Sequence, residues 1–242
     1  MEYQLILSSR RKTIALQVSN AKVIVRAPHF VKTAYVDKLI QAKLHWLRQK
    51  VAEQEKKSLL IPDFTLKFSG EKLENNPTIY IDGLPHNIFI EFGRESVIHN
   101  KCACSLNVVL SLRYKNLDLN SAVILAKVKS QIQCWFKACV EHYVQQKLLV
   151  FSQKMSLHPA SFKVRKYKAR WGSCNSRAEL SFNTLLKMLP DWVIDYVIIH
   201  ELCHLKHMNH STNFWQLVAK HCPEYQTAKH WLLKNQPHLS WS

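Results

Sequence analysis

The sequence predicts an α+β protein: a β-rich N-terminal part followed by a part in which helices and strands alternate. Three observations carry this reading. Short β-branched runs recur before residue 113, a helical pattern free of Pro and Gly runs from about Ser121 to Ser156, and strands at 162–168 and 179–183 then precede three more helical segments. The expected division is 1–118, β-rich with one helix, and 119–242, the part that carries the chemistry. No flexible linker marks the boundary.

Residues 2–27 read as strands. Tyr3 to Leu7 alternates poorly, but Ile14 to Val18 and Val23 to Val25 are β-branched, with a turn at Ser19-Asn20 and an end at Pro28. Thr33 is placed to cap one helix over about 34–57, with Val36, Leu39, Ile40, Leu44 and Leu47 at helical spacing and Pro62 as its stop. Strands follow at 64–68, 78–81, 87–92 and 106–112, with Asp82-Gly83 as a turn. The long helix carries Val123, Ala126, Val128, Ile132, Trp135, Phe136, Val140, Tyr143 and Leu148. After the strand at 162–168, residues 169–176 read as a loop. Helices are then expected at 191–207, 213–221 and 225–234.

The chain has 242 residues, 47% of them hydrophobic, enough for a substantial core. Its formal charge is +17, and no acid occurs between Glu141 and Glu179, where Lys163, Arg165, Lys166, Lys168, Arg170 and Arg177 cluster. That excess suits a polyanionic partner, a nucleotide, a nucleic acid or an acidic surface; a solubilising surface accounts for it equally well. Seven cysteines without a C-x-x-C pair argue against a disulfide framework and for a reducing cytoplasm. The N-terminus lacks the order of a secretory signal, and no run approaches a membrane span.

The segment His200-Glu201-Leu202-Cys203-His204 is the most informative stretch. Residues four apart share one helix face, so His200 and His204 can turn toward one metal ion. Glu201 borders that face and can accept a proton from a water activated there without being a ligand. The apolar run Val197-Ile198-Ile199 would bury the helix and hold the ligands still. A catalytic zinc site takes three protein ligands, so a third is required. His210 has suitable spacing if the helix stops after His204, with Asn209 in a left-handed conformation making the turn. Glu224 could supply a carboxylate from a later helix. His207 would lie about 10 Å along the axis from His200 if the helix continued. The order of preference is His210, Glu224, His207.

Further blocks accompany the motif: Arg170-Trp171-Gly172-Ser173-Cys174, Leu180-Ser181-Phe182-Asn183, Asn209-His210-Ser211, Phe214-Trp215 and Pro223-Glu224-Tyr225. Together with Ser9-Arg10-Arg11-Lys12 and Val23 to Pro28 near the N-terminus, they resemble the YgjP-like metal-dependent hydrolases, related to SprT-like zinc metallopeptidases. The resemblance implies a zincin-like catalytic part with a strand beside the metal helix. It implies that His200, His204 and His210 bind Zn2+ and that Glu201 is the catalytic base. It also places Arg170 and Trp171 near the substrate, where Arg170 could neutralise an anionic substrate or a developing oxyanion; a salt link for Arg170 and simple packing for Trp171 explain them as well. Ala178 and Glu179 stand where that family usually has a turn glycine.

Other residues read as structural. Cys174 and Cys203 suit small buried thiols. Asp195 suits a cap on the metal helix or a carboxylate orienting a ligand ring, and Asn183 suits either substrate or the fold. Trp46, Trp135, Trp215 and Trp231 suit core positions. Three functions follow. The first is a zinc-dependent peptidase whose extended peptide or protein substrate pairs with the strand at 179–183 as an added edge. The second is a metal-dependent pyrophosphatase for a nucleoside triphosphate of the UTP type, and the third a nucleic-acid-binding module with structural zinc.

Overall fold

The computed structural model describes residues 1–19, 22–60, 77–168, 170–235 and 239. The strand expected at 64–68, the stop at Pro62 and Asn20 of the first expected turn lie outside them. The chain divides into two compact units, Met1–Asp63 and Phe64–Ser242.

In the first unit, β1 (Tyr3–Ser8), β2 (Ala15–Ser19) and β3 (Lys22–Pro28) form a sheet of order β1-β3-β2. β1 runs parallel to β3 and β2 antiparallel to it. Val23, Val25 and Ala27 alternate inward along β3, and Val23 and Val25 meet Val36, Ile40 and Leu47 in one core. The single expected helix is two, α1 (Thr33–Ala42) and α2 (Leu44–Leu60). At Lys43 the backbone leaves helical geometry (φ −107°, ψ 12°), and its N–H is shared between the carbonyls of Leu39 and Ile40. Thr33 is the first helical residue and not the cap; Lys32 precedes it without a side-chain cap bond. Trp46, expected in the core, is 40% exposed.

The second unit holds a sheet of order β4-β5-β7-β6, made of β4 (Thr78–Ile81), β5 (Leu84–Gly93), β6 (Ser96–Asn100) and β7 (Ser105–Ser111). β6 was not read from the sequence; among the described residues it is an edge strand paired only with β7, and it alternates exposed and half-buried residues. α3 (Ala122–Met155) starts at Ser121, whose side chain accepts from the Ile124 N–H. It buries Ile124, Val128, Ile132, Phe136, Val140, Val144 and Leu148, a strict four-residue stripe. These residues share one core with Ile88, Leu106, Val108 and Leu110 of the sheet. The boundary expected near 118 therefore lies inside the second unit.

Beyond α3, β8 (Ser161–Arg165), β9 (Gly172–Cys174) and β10 (Glu179–Asn183) form a sheet of order β8-β10-β9. β9 falls within the expected loop at 169–176. Its three residues carry no β-branched signal and become a strand through antiparallel pairing with β10. α4 (Asp191–Cys203), α5 (Thr212–His221) and α6 (Tyr225–Asn235) complete the unit. The Asp82-Gly83 turn fixes the approach to α4: both residues have positive φ, 52° and 84°, the geometry of a tight hairpin turn. The Asp82 and Gly83 N–H groups donate to the carbonyls of Lys187 and Met188, just ahead of the helix. A Cβ at Gly83 would stand 2.5 Å from Pro190 Cγ, so that docking requires glycine.

Candidate metal centre

α4 is buried on nearly every side, with Val193, Ile194, Val197, Ile198, Ile199, Leu202 and Cys203 all inside. It packs against α3, α5, α6 and β9. A helix held this way gives its side chains little freedom, which suits ligands that must keep one geometry. The helix ends sooner than the expected 207. The Lys206 and His207 N–H groups both donate to the Cys203 carbonyl, 3.1 and 3.0 Å away, and the chain tightens and turns. Asn209 does not make that turn in a left-handed conformation; among the described residues only Asp82, Gly83, Cys104, Ser156 and Ala178 have positive φ.

His204 Nδ1 lies 3.0 Å from the His207 carbonyl. A carbonyl only accepts, so Nδ1 carries the proton and Nε2 keeps its lone pair for a ligand. The His207 backbone thus anchors the His204 ring, and its own imidazole is not part of the three-histidine cluster. The next helix then fixes His210. Ser211 caps α5, its side chain accepting from the Phe214 N–H, and His210 stands directly before that cap.

The three rings form a near-equilateral cluster. Centroids are 4.9 Å apart for His200–His204, 5.0 Å for His200–His210 and 4.8 Å for His204–His210. One ring nitrogen from each lies within 4.8 Å of the others, and His200 Nε2 is 3.1 Å from His210 Nε2. Two imidazoles on one tetrahedral metal ion, at about 2.0–2.1 Å each, stand roughly 3.3 Å apart. The donor set therefore fits a small divalent ion.

Burial, with the neighbouring His204 and His210, pushes the His200 pKa down to about 3, so its ring is neutral at neutral pH. Glu201 is only 5% exposed. Burial pushes its carboxyl up to about 8, opposed by the Arg170 charge. Gly172 of β9 lies against it: a Cβ there would stand 2.6 Å from Glu201 Oε1. A cavity of about 300 Å³ opens over the cluster, lined by Arg170, Gly172, Ser173, Cys174, Glu201 and Met208 together with the three histidines.

The family described as "YgjP-like, metallopeptidase domain" matches residues 12–235. The chain belongs to the YgjP-like family. It is also similar to a UTP pyrophosphatase of Escherichia coli (strain K12), 28% identical over 79 residues. That alignment covers 33% of this chain and 44% of the relative, so the chain spans less than half of the curated protein it matches. No solved structure matches the chain.

Of the other candidates in this YgjP-like chain, some are placed as expected and some are not. Glu224 is exposed, beside Thr227 at the start of α6, and lies outside the histidine cluster. Arg170 lines the cavity, whereas Trp171 packs half-buried against the core and is not part of the lining. Asp195 neither caps the helix nor orients a ligand ring. It accepts from the Tyr143 hydroxyl at 2.8 Å and pairs with Lys147 at 2.7 Å, tying α4 to α3. The Asn183 side chain serves the fold, donating to the carbonyls of Tyr167 and Arg170 and accepting from the Leu185 N–H. β10 is hydrogen-bonded on both sides, so it cannot take an added strand; the edge beside the cavity is β9. Cys174 lines the cavity with its thiol pushed up by burial and by Glu201, and Cys203 is buried with its thiol pushed up to about 12, so both stay protonated. Sequence reasoning missed Gly172 as a site residue. The one signal was a glycine in a chain that has only four.

Proposed function

We propose that this chain is a zinc-dependent hydrolase that cleaves peptide bonds, with His200, His204 and His210 as ligands and Glu201 as the general base. The observation that carries the reading is the convergence of three imidazoles and one buried carboxylate on a single open cavity. An all-imidazole donor set suits zinc better than magnesium, which prefers oxygen ligands. The cavity leaves room beside the ligands, unlike a closed structural site. When bound, zinc supplies Lewis acidity toward a substrate carbonyl and lowers the pKa of a coordinated water.

The protein groups do the rest. Glu201 takes the proton from the attacking water at its carboxylate and returns it to the departing amine. In the metal-free chain its raised pKa keeps it protonated near neutral pH, so it becomes a base only when a divalent charge beside it lowers that pKa. Arg170 offers positive charge at the cavity wall as the carbonyl oxygen becomes anionic. An extended substrate backbone would add to the β9 edge, antiparallel or parallel, with Gly172 keeping the approach to Glu201 clear.

A second reading keeps the metal and changes the bond. The E. coli relative is named a UTP pyrophosphatase, and Arg170 with the exposed Lys163, Arg165, Lys166 and Lys168 suits a phosphorylated substrate. The two separate in one assay, zinc-loaded protein against a peptide library and a nucleoside triphosphate panel. Peptide cleavage that Glu201→Gln reduces at least ~100-fold, with zinc retained, supports the first reading. Triphosphate hydrolysis with no peptide turnover replaces it with the second. Undiminished activity of Glu201→Gln removes the carboxylate from both.

A further inference from the structure

His200 and His204 are held by a buried helix, but His210 sits on an exposed non-helical segment. Its ring lacks the kind of anchor that His204 has in the His207 carbonyl. Its hydrogen-bond contact among the described residues is with His200 Nε2 itself. What orients the His210 ring is packing. With Ser211 as the cap, His210 is the residue before the cap and Trp215 the fourth helical residue of α5. Those are the two positions that a hydrophobic staple joins at a helix start. Here the staple is made of rings: His210 stacks on Trp215 at 5.6 Å with 23° between planes, and Phe214 meets His210 edge-on at 4.8 Å. Trp215 is itself near-parallel to Tyr225 of α6, at 5.4 Å and 22°, and Lys229 Nζ lies 4.2 Å from the Trp215 ring centroid.

We propose that Trp215 is a positioning residue for His210, backed by Tyr225, and that this aromatic staple sets part of the metal affinity of the chain. An exposed histidine gives up rotamer freedom when it becomes a ligand. A ring already stacked in place has given it up on folding, so binding is tighter. The inference rests on the reading of His210 as a ligand.

The test uses the full chain and zinc alone, with affinity measured by chelator competition at fixed pH. Trp215→Leu is expected to weaken zinc binding about tenfold to a hundredfold. Trp215→Phe, which keeps a ring, restores most of it, and Tyr225→Leu gives a smaller loss. In a His210→Ala background, Trp215→Leu should cause much less loss, because its stacked contact is with His210, while it meets His200 only at a tilt, 5.8 Å away. A general packing role would instead weaken both backgrounds equally, and that result overturns the proposal. So does wild-type affinity in Trp215→Leu while His210→Ala binds weakly; the ligand reading then survives alone. Wild-type affinity in His210→Ala overturns both. Should Trp215→Leu fail to fold, Tyr225→Leu in the two backgrounds makes the same comparison.

Discussion

The His86–His99 pair and the His200–His204–His210 cluster bring imidazole nitrogens to nearly the same distance, 3.0 and 3.1 Å, yet their surroundings differ. His86 Nδ1–H donates to the Leu84 carbonyl at 3.0 Å, so His86 Nε2 accepts and His99 Nε2–H donates. Trp135 meets His99 edge-on, and the charges nearest His99 include Lys187 and Lys101 as well as Asp82. Among the described residues no third His, Cys, Asp or Glu joins that pair, whereas His200 and His210 gain His204 and the adjacent Glu201. A short imidazole contact is thus an ordinary hydrogen bond in one place and part of a candidate ligand set in the other. The third donor and the open cavity make the difference, and both can be removed.

The largest effect is expected from His204→Ala, which leaves two imidazoles, as at His86–His99. Zinc affinity should fall at least ~100-fold, measured by chelator competition. A near-normal affinity would mean that a pair suffices and that the contrast is false. Gly172→Ala tests the cavity wall. The added Cβ must displace β9 or Glu201, so activity should drop and stability fall by about 1–3 kcal/mol in denaturant unfolding.

A pH effect of similar size separates Glu201 from the rings. Its pKa is raised to about 8, so between the ordinary carboxylate range and that value the folded chain holds a proton the unfolded chain has lost. Stability therefore falls as pH rises through that interval. His200 acts oppositely: with its pKa depressed to about 3, the fold refuses a proton that the unfolded chain binds below 6.5, so stability falls as pH drops. Between roughly 6.5 and 8 the carboxylate acts without that opposition. The metal-free protein should lose about 2 kcal/mol across this window, and Glu201→Gln should not. The smallest effect is expected from His99→Gln, which should leave zinc content unchanged by elemental analysis. A drop there would make the second imidazole pair a metal site too.

The half of the centre that the sequence made legible is the half carried by one element. Helical periodicity puts His200 and His204 on one face within a single run, and the apolar residues around them announce a buried helix. His210 depended on spacing and resemblance, because its position is set by where α4 stops and where Ser211 starts α5. Gly172 stood in the Arg170–Cys174 block that carried the resemblance, but its contact with Glu201 was not legible, since the fold sets which residue of the strand meets that carboxylate. β6 and β9 escaped for related reasons: an edge strand has half the burial signal, and three residues offer no period. Asp195 shows the reverse error, a carboxylate five residues before a ligand that the fold spends on Tyr143 and Lys147. Ala178 holds φ 58° where the resembled family usually has glycine, so the turn shape persists without the residue that makes it easy.

The most direct measurement is an anomalous difference map at the zinc edge from crystals of the zinc-loaded protein. One peak at about 2.0–2.1 Å from a ring nitrogen of each of His200, His204 and His210, with Glu201 beside the open position and not bonded to it, is the predicted result. A peak completed by Glu224 or His207, or no peak at the cluster, would contradict it.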